Sequence, residues 1–340
     1  TSNWVAHSVA GALLAAAAIR GDGGIPNVDL YTNGLLAKLE AHLTASFLPG
    51  GSYGEGISYY EFNLETLAPA LIALRRVFGL DYWSRSHVKD SLWYPVSTLA
   101  DPISGCLDMG DTHCPSGRTT APVVAASQNP VFRWFQDHFA PASIEGFVFS
   151  DDKLEAKPPE APGSRYFPEK GMAVFRTGWQ PDSAILLFRA GPNFNHNHAD
   201  QGSFLFRALG ENLATDSGYA DYYKDPYYDT YFKQSAGHNT VLVDGDPASQ
   251  QIADTLAFPA LNEFPRITNI VTSVGFDAVT SELRQVYRGR LKRYTRSIAF
   301  IKPDCVLVYD ELDPKERETF DWLLHVADKS RIETEGAHAL

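Results

Sequence analysis

Cysteine is nearly missing from this chain, three residues in 340, and the spacing matches no zinc finger, so a thiolate-held zinc module is excluded. Cys106 and Cys114 stand close enough to close a small loop as a disulfide, which would suit an oxidising compartment. Cys305 lies in the apolar run Cys305-Val306-Leu307-Val308-Tyr309 and is expected to be buried. An excess of positive charge is missing too. The formal charge is −12, and 11 Lys and Arg against 17 Asp and Glu through Arg165, then 18 against 24 beyond it, leave −6 on each half. Such a surface disfavours nucleic acid and anionic membrane as partners and asks any polyanionic substrate for a locally positive cleft. Internal repeats and low-complexity tracts are also lacking. The apolar stretch 9–19 resembles a signal-peptide core, but no basic segment precedes it and Arg20-Gly21-Asp22 closes it, so it reads as a buried helix. Position 1 is not a methionine, and the chain reads as a mature form or a fragment.

What is present divides near the middle. At this length two domains are expected, each large enough to bury a core. Helical periodicity covers 3–19, 30–46, 61–78, a weaker stretch at 82–99, and 130–139, with Gly and Pro between them. A proline-rich, charged segment at 153–168 reads as a linker. Beyond it, short alternating or apolar runs at 172–176, 184–189, 203–207, 240–243, 267–273, 287–301, 306–309 and 320–326 predict strands of a mostly antiparallel sandwich. The predicted organisation is a helical domain over 1–150, a linker over 151–168 and a β-sandwich over 169–340.

The chemistry-bearing residues crowd between Asn193 and Gly245. His196-Asn197-His198-Ala199-Asp200 holds the only HxH; Asp216-Ser217-Gly218 and Gly237-His238-Asn239-Thr240 follow. On a strand, residues two apart share a face, so His196 and His198 would reach one site together. Two imidazoles and a carboxylate make a workable zinc shell with a position left over; the competing reading is of surface or hydrogen-bonded histidines. In the helical half, Gly50-Gly51-Ser52-Tyr53-Gly54-Glu55-Gly56 is a Gly-rich turn that delivers Glu55, Tyr59 and Tyr60 to the mouth of a helix, as cleft groups or as packing. Asn3 and His7 stand four apart on one helical face. The basic run Arg284, Arg288, Arg290, Lys292, Arg293, Arg296 would put Arg288, Arg290 and Lys292 on one face of a strand, most simply a solvated one. Asp108-Met109-Gly110-Asp111-Thr112-His113 is a polar loop placed to border the cleft, with no catalytic argument attached.

Four pieces in order, Asn3-Trp4 before a small-residue helix with Gly11, Glu55-Gly56 before Tyr59-Tyr60, the His196–Phe204 block, and Asp216-Ser217-Gly218 with His238-Asn239-Thr240, resemble the heparinase II/III-like polysaccharide lyases. The resemblance spans nearly the whole chain. It implies an α+β protein, an incomplete (α/α) toroid followed by an antiparallel β-sandwich, with the cleft between them. It implies β-elimination of an acidic, uronate-containing polysaccharide or oligosaccharide such as alginate or heparan sulfate. That chemistry must neutralise a carboxylate, remove the adjacent proton and protonate the leaving oxygen. Tyr59 matches the family's catalytic tyrosine as general acid, with the base role open to it as well. His196 matches the cleft histidine, for charge neutralisation or proton transfer. His198, Asp216 and His238 match the ligands of a structural zinc. His7 or Asn3 would meet the carboxylate, because Val9 stands where the family often has Asn or His. Tyr223 resembles a second cleft tyrosine within the cluster Tyr219, Tyr222, Tyr223, Tyr227, Tyr228 and Tyr231; Glu55, Tyr60 and Asn3 are expected to line the substrate. A secreted or periplasmic location follows, and a homodimer stays open. The rival readings are a zinc-stabilised carbohydrate-binding relative without turnover and a zinc-dependent glycan hydrolase using metal-activated water.

Overall fold

The computed structural model describes residues 3–23, 26–101, 105–114, 117, 119–139, 143–149, 151–220, 224–252 and 264–327. Helices come first: α1 Asn3–Ala18, α2 Val28–Ser46, α3 Ile57–Ala73 with a wide turn Leu74–Phe78, α4 Tyr82–Arg85, α5 Trp93–Thr98, α6 Ala121–Ser127, α7 Pro130–Phe139 and α8 Ile144–Val148. Ala6, Val9, Ala10, Leu13 and Ala16 give α1 a buried stripe at helical spacing, made of residues small enough to pack it closely on α2 and α3. Two short hairpins sit among the helices, β1 Phe47–Leu48 with β2 Ser52–Tyr53 and β3 Leu99–Asp101 with β4 Gly105–Cys106.

The expected single weak helix at 82–99 is instead two short helices and a 3-10 turn at His87–Asp90. Asp81 and Ser86 explain the break, because each folds its side chain back onto amides just ahead and restarts the chain.

The strands follow: β5 Arg165–Phe167, β6 Met172–Arg176, β7 Ile185–Arg189, β8 Phe204–Ala208, β9 Glu211–Ala214, β10 Val241–Val243, β11 Arg266–Thr272, β12 Phe276–Glu282, β13 Leu291–Ile301, β14 Cys305–Pro314 and β15 Phe320–Trp322. They build an antiparallel five-stranded meander β5-β6-β7-β8-β9, a four-stranded meander β11-β12-β13-β14, and the pair β10-β15. β5 falls within the stretch expected to be linker.

The five-stranded sheet is the middle layer. Val174, Ile185, Leu187 and Leu205 join the core shared with the helices. Their neighbours Ala173, Phe175, Leu186, Phe188 and Phe204 join a second core with Val279, Ile298 and Phe300 of the other sheet. Because side chains alternate faces along a strand, a sheet covered on both sides needs an uninterrupted apolar run. That is how β6 and β7 read.

Local expectations fail where polar pairing intervenes. The basic run is not a strand from Arg288, which sits in the left-handed region at φ 52 before β13 begins. Five of its cations are ion-paired, Arg284 with Glu282, Arg290 with Asp244 and Glu318, Lys292 with Asp313, Arg293 with Glu311, and Arg296 with Asp310, while Arg288, Lys292 and Arg293 stay exposed to solvent. Cys305 is half-buried, not core. Cys106 and Cys114 form the disulfide. Among the described residues no helix is long and apolar enough to cross a membrane.

Candidate active site and metal site

His196 and His198 lie on a loop between β7 and β8, not on a strand, and His196 takes a left-handed conformation at φ 64. Strand alternation therefore plays no part in bringing them together. Arg189, buried at the end of β7, organises the loop: its guanidinium reaches Asp200 at 3.2 Å, Asn193 at 3.2 Å and Asn197 at 2.5 Å. Asn197 also accepts the Phe194 N–H at 2.6 Å, and the Gln201 amide donates to Asn193 at 2.7 Å. The Asn- and Gln-rich composition of this block is thus spent on satisfying a loop that has no ladder partner.

Both histidines converge on Asp111, from the 105–114 loop of the helical half. His196 Nδ1 lies 3.1 Å from Asp111 Oδ2, and His198 Nε2 lies 2.8 Å from Oδ1. The Tyr228 hydroxyl donates to Oδ2 at 2.7 Å. Burial opposes ionisation of Asp111, but the hydrogen bonds from His196, His198 and Tyr228 outweigh it and hold the carboxyl well below its ordinary range. Gly110 permits the approach. At φ +96 it leaves the Asp111 N–H 2.9 Å from the His196 carbonyl, where a Cβ would stand 2.5 Å from that same oxygen. The Cys106–Cys114 disulfide closes this loop at its base. Its other residues cap α3 from a distance: Asp108 accepts the Ile57 N–H at 2.9 Å and Thr112 the Ser58 N–H at 3.2 Å. No local side chain caps that helix.

His198, Asp216 and His238 each offer one donor atom within 4.8 Å of the others. They come from loops and strand ends rather than from separate strands: Asp216 follows β9, and His238 follows the turn Ser235–Gly237 ahead of β10. Both imidazoles are wholly buried. Among the described residues His198 Nδ1 and His238 Nε2 have no hydrogen-bond partner of normal geometry, a costly arrangement unless another group fills the space. Asp216 Oδ2 meets His238 Nδ1 at 2.7 Å and Oδ1 accepts the Gly218 N–H at 2.9 Å. The two orphaned nitrogens and the carboxylate fit a metal ion. Arg296 pins the surroundings, donating to the Gly202 and Asn239 carbonyls at 2.7 Å each while paired with Asp310.

Tyr59, on the first turn of α3, stacks on His196 with centroids 3.7 Å apart and planes 12° from parallel. Its hydroxyl and His196 Nε2 carry no hydrogen bond among the described residues. Burial, with Asp111 and Glu55 nearby, pushes the Tyr59 phenol up to about 12, so it is protonated at neutral pH.

The other expected residues are distributed differently. Tyr60 is fully buried, hydrogen-bonded to Ser91 at 2.9 Å and packed on Phe47 and Tyr53. One step along a helix turns a side chain by about 100°, so Tyr60 faces the core when Tyr59 faces the cleft, and its expected substrate contact is corrected. His7 faces α3: its ring nitrogens meet Phe62 O at 2.9 Å and Thr66 Oγ1 at 2.6 Å. Asn3 and Glu55 are 2% and 1% exposed and back the wall rather than line it. Neither Glu55 oxygen accepts a hydrogen bond in normal geometry, and burial raises its carboxyl to about 7. Tyr223 lies outside the described residues. The sequence offered Asp111 only as part of a polar loop bordering the cleft and Tyr228 only as one of a tyrosine cluster, and it gave no signal for Arg189 or Lys170. The last, buried, donates to the carbonyls of Tyr53, Gly54 and Glu55 at 2.9, 3.1 and 3.0 Å. The Gly110-Asp111 pair was the one available signal.

The profile of the heparinase II/III-like C-terminal family matches residues 159–340, more than half of the chain. The chain belongs to this family. The family's sandwich thus carries His196, His198, Asp216 and His238, while Tyr59 and Asp111 come from the part before it. Among solved structures, a heparinase III superposes with a TM-score of 0.75 at 15% identity, covering 98% of this chain and 51% of that one. A heparan sulfate lyase, HepC from Pedobacter heparinus, superposes with a TM-score of 0.68 at 18% identity, covering 95% of this chain and 48% of that one. At such identity these likenesses concern the fold, and the chain spans about half the length of either relative. No curated protein sequence matches it.

Proposed function

We propose that the protein is a polysaccharide lyase that cleaves a uronate-containing glycan by β-elimination in the cleft where Tyr59 meets His196. The observation that carries this reading is the stacked Tyr59–His196 pair, in which a protonated phenol and a ring nitrogen both lack a hydrogen bond among the described residues. Tyr59 gives its proton to the departing glycosidic oxygen. His196 Nε2 takes the proton next to the uronate carboxylate. The helical part forms the opposite wall as an incomplete (α/α) toroid. Zinc at His198, Asp216 and His238 would pin the β7–β8 and β9–β10 loops together beside the cleft. Complete burial of both imidazoles leaves a glycan no path to the ion, which favours this role over a zinc hydrolase. The protein acts in the periplasm or outside the cell, where the Cys106–Cys114 bond can form.

A second reading, a carbohydrate-binding relative without turnover, draws on one observation: both nitrogens of His7 are occupied by α3, so His7 does not face the uronate from that wall. Incubation with alginate, heparan sulfate, hyaluronan, chondroitin and ulvan separates the readings. A lyase generates ultraviolet absorbance from the new conjugated double bond, a hydrolase gives reducing ends without it, and a binding protein gives neither. Tyr59→Phe should cut turnover by roughly two to four orders of magnitude while binding and zinc persist. Normal turnover in that variant would remove Tyr59 from the mechanism.

A further inference from the structure

We propose that Asp111 is a positioning residue that sets the tautomers of two histidines at once, turning a proton-accepting nitrogen of His196 to the cleft and a lone pair of His198 to the metal group. The proposal rests on the lyase reading for its catalytic arm and on hydrogen-bond chemistry alone for its structural arm. A carboxylate has no proton to give, so every contact with it must be donated by the partner. Oδ2 receives the His196 Nδ1–H and the Tyr228 hydroxyl, and Oδ1 receives the His198 Nε2–H. A neutral imidazole holds one ring proton. With that proton on Nδ1, His196 presents Nε2 as an acceptor, beside the Tyr59 ring. With its proton on Nε2, His198 presents Nδ1, a buried atom with no hydrogen-bond partner among the described residues, on a ring that stands in the group with Asp216 and His238. The opposite tautomers would place a proton where each site needs a lone pair.

The geometry also explains why the acid comes from the helical half. Gly110 lets the 105–114 loop touch the His196 carbonyl, and the Cys106–Cys114 disulfide shortens that loop. One side chain can then bridge the Tyr59 wall and the metal-bearing wall. A histidine held by a carboxylate at its far nitrogen is a general device for fixing ring orientation at metal sites and in proton transfer; here a single carboxylate does so for two rings in different roles.

Histidine-selective 15N labelling of the full chain, with long-range proton–nitrogen correlation spectra, reads each tautomer directly. The wild type should show His196 protonated at Nδ1 and His198 at Nε2. A wild-type spectrum with His196 protonated at Nε2 overturns the proposal without any variant. Asp111→Asn offers one acceptor oxygen to three donors. It should shift the His196 signal away from the Nδ1–H form, lower kcat by roughly 10²- to 10⁴-fold with KM changed less than about threefold, and weaken zinc binding about 10- to 100-fold. A merely structural residue would not move the tautomer signal at unchanged melting temperature. If Asp111→Asn keeps kcat within about threefold of wild type, the proposal fails whatever its zinc content. Expected tautomers in a protein inactive on every glycan would sink the lyase reading and leave the tautomer assignment standing; a lyase with the opposite His196 tautomer would do the reverse.

Discussion

At the scale of single residues, Glu55 is a buried acid with no hydrogen bond of normal geometry among the described residues. Its carboxyl is raised to about 7 because burial penalises the charge more than His196, Asn195 and the Asn3 backbone favour it. The unfolded chain titrates this group near ~4.3, so between about pH 4.3 and 7 the folded state binds more protons than the unfolded one. The contribution of Glu55 is therefore fully present below the lower value and is lost as pH rises through the folded one. Glu55→Gln keeps the shape without the charge. Relative to wild type it should gain stability as pH is raised from 4.5 to 8, by up to roughly 3 kcal/mol on an order-of-magnitude conversion of the shift. Chemical denaturation across that range is the measurement, and parallel curves for the two proteins would show that Glu55 is not buried neutral. Glu55 and Tyr60 stood together in the sequence as cleft candidates, and burial separates their roles from that of Tyr59.

At the scale of elements, the metal group hangs on loops that β13 braces. Arg296 is buried beside Asp310 and holds the carbonyls after His198 and after His238. Arg296→Met would leave Asp310 unpaired and two carbonyls unsatisfied, a change expected to cost about 3–5 kcal/mol. Metal analysis should find about one zinc per wild-type chain, and in Arg296→Met the zinc should be lost at a lower chelator concentration than in wild type. Unchanged zinc retention at reduced stability would show that the brace serves the sheet alone. His198→Ala should lower metal content and melting temperature together. Strand β12 illustrates why element assignment from pattern was incomplete: after an exposed Phe276, Asp277-Ala278-Val279-Thr280-Ser281-Glu282 alternates buried and half-buried positions, but its buried set includes Asp277 and Ser281, which only their partners make tolerable. Asp277 pairs with Lys302 at 2.6 Å and Ser281 donates to the Arg296 carbonyl at 3.2 Å.

At the scale of the whole molecule, the site exists only because two walls are held in register. Lys170, at the turn before β6, reaches across to three successive carbonyls of the loop that leads into α3. Burial lowers its amine to about 7, against the pull of Asp108. Lys170→Met should leave those carbonyls unsatisfied, at about 1–3 kcal/mol each before relaxation, and lower kcat by loosening Tyr59 against His196. A variant that loses stability but keeps full kcat would place the clamp outside catalysis.

The sequence by itself determined that helices come first and strands follow, and it placed the longer elements, because periodicity reports how many faces an element buries; it missed β5, β9 and β12. It also determined the family, through HxHAD, DSG and HNT in order, since those residue types have few other uses together. Only the tertiary structure decided that the histidine block is a loop rather than a strand, that Tyr60 faces the core, and that Asp111 joins His196, His198 and Tyr228. The physical reason is sequence distance. Asp111 lies 85 residues from His196 and 117 from Tyr228, and a carboxylate's partners at that separation are set by how sheet and helices pack, which no local pattern encodes.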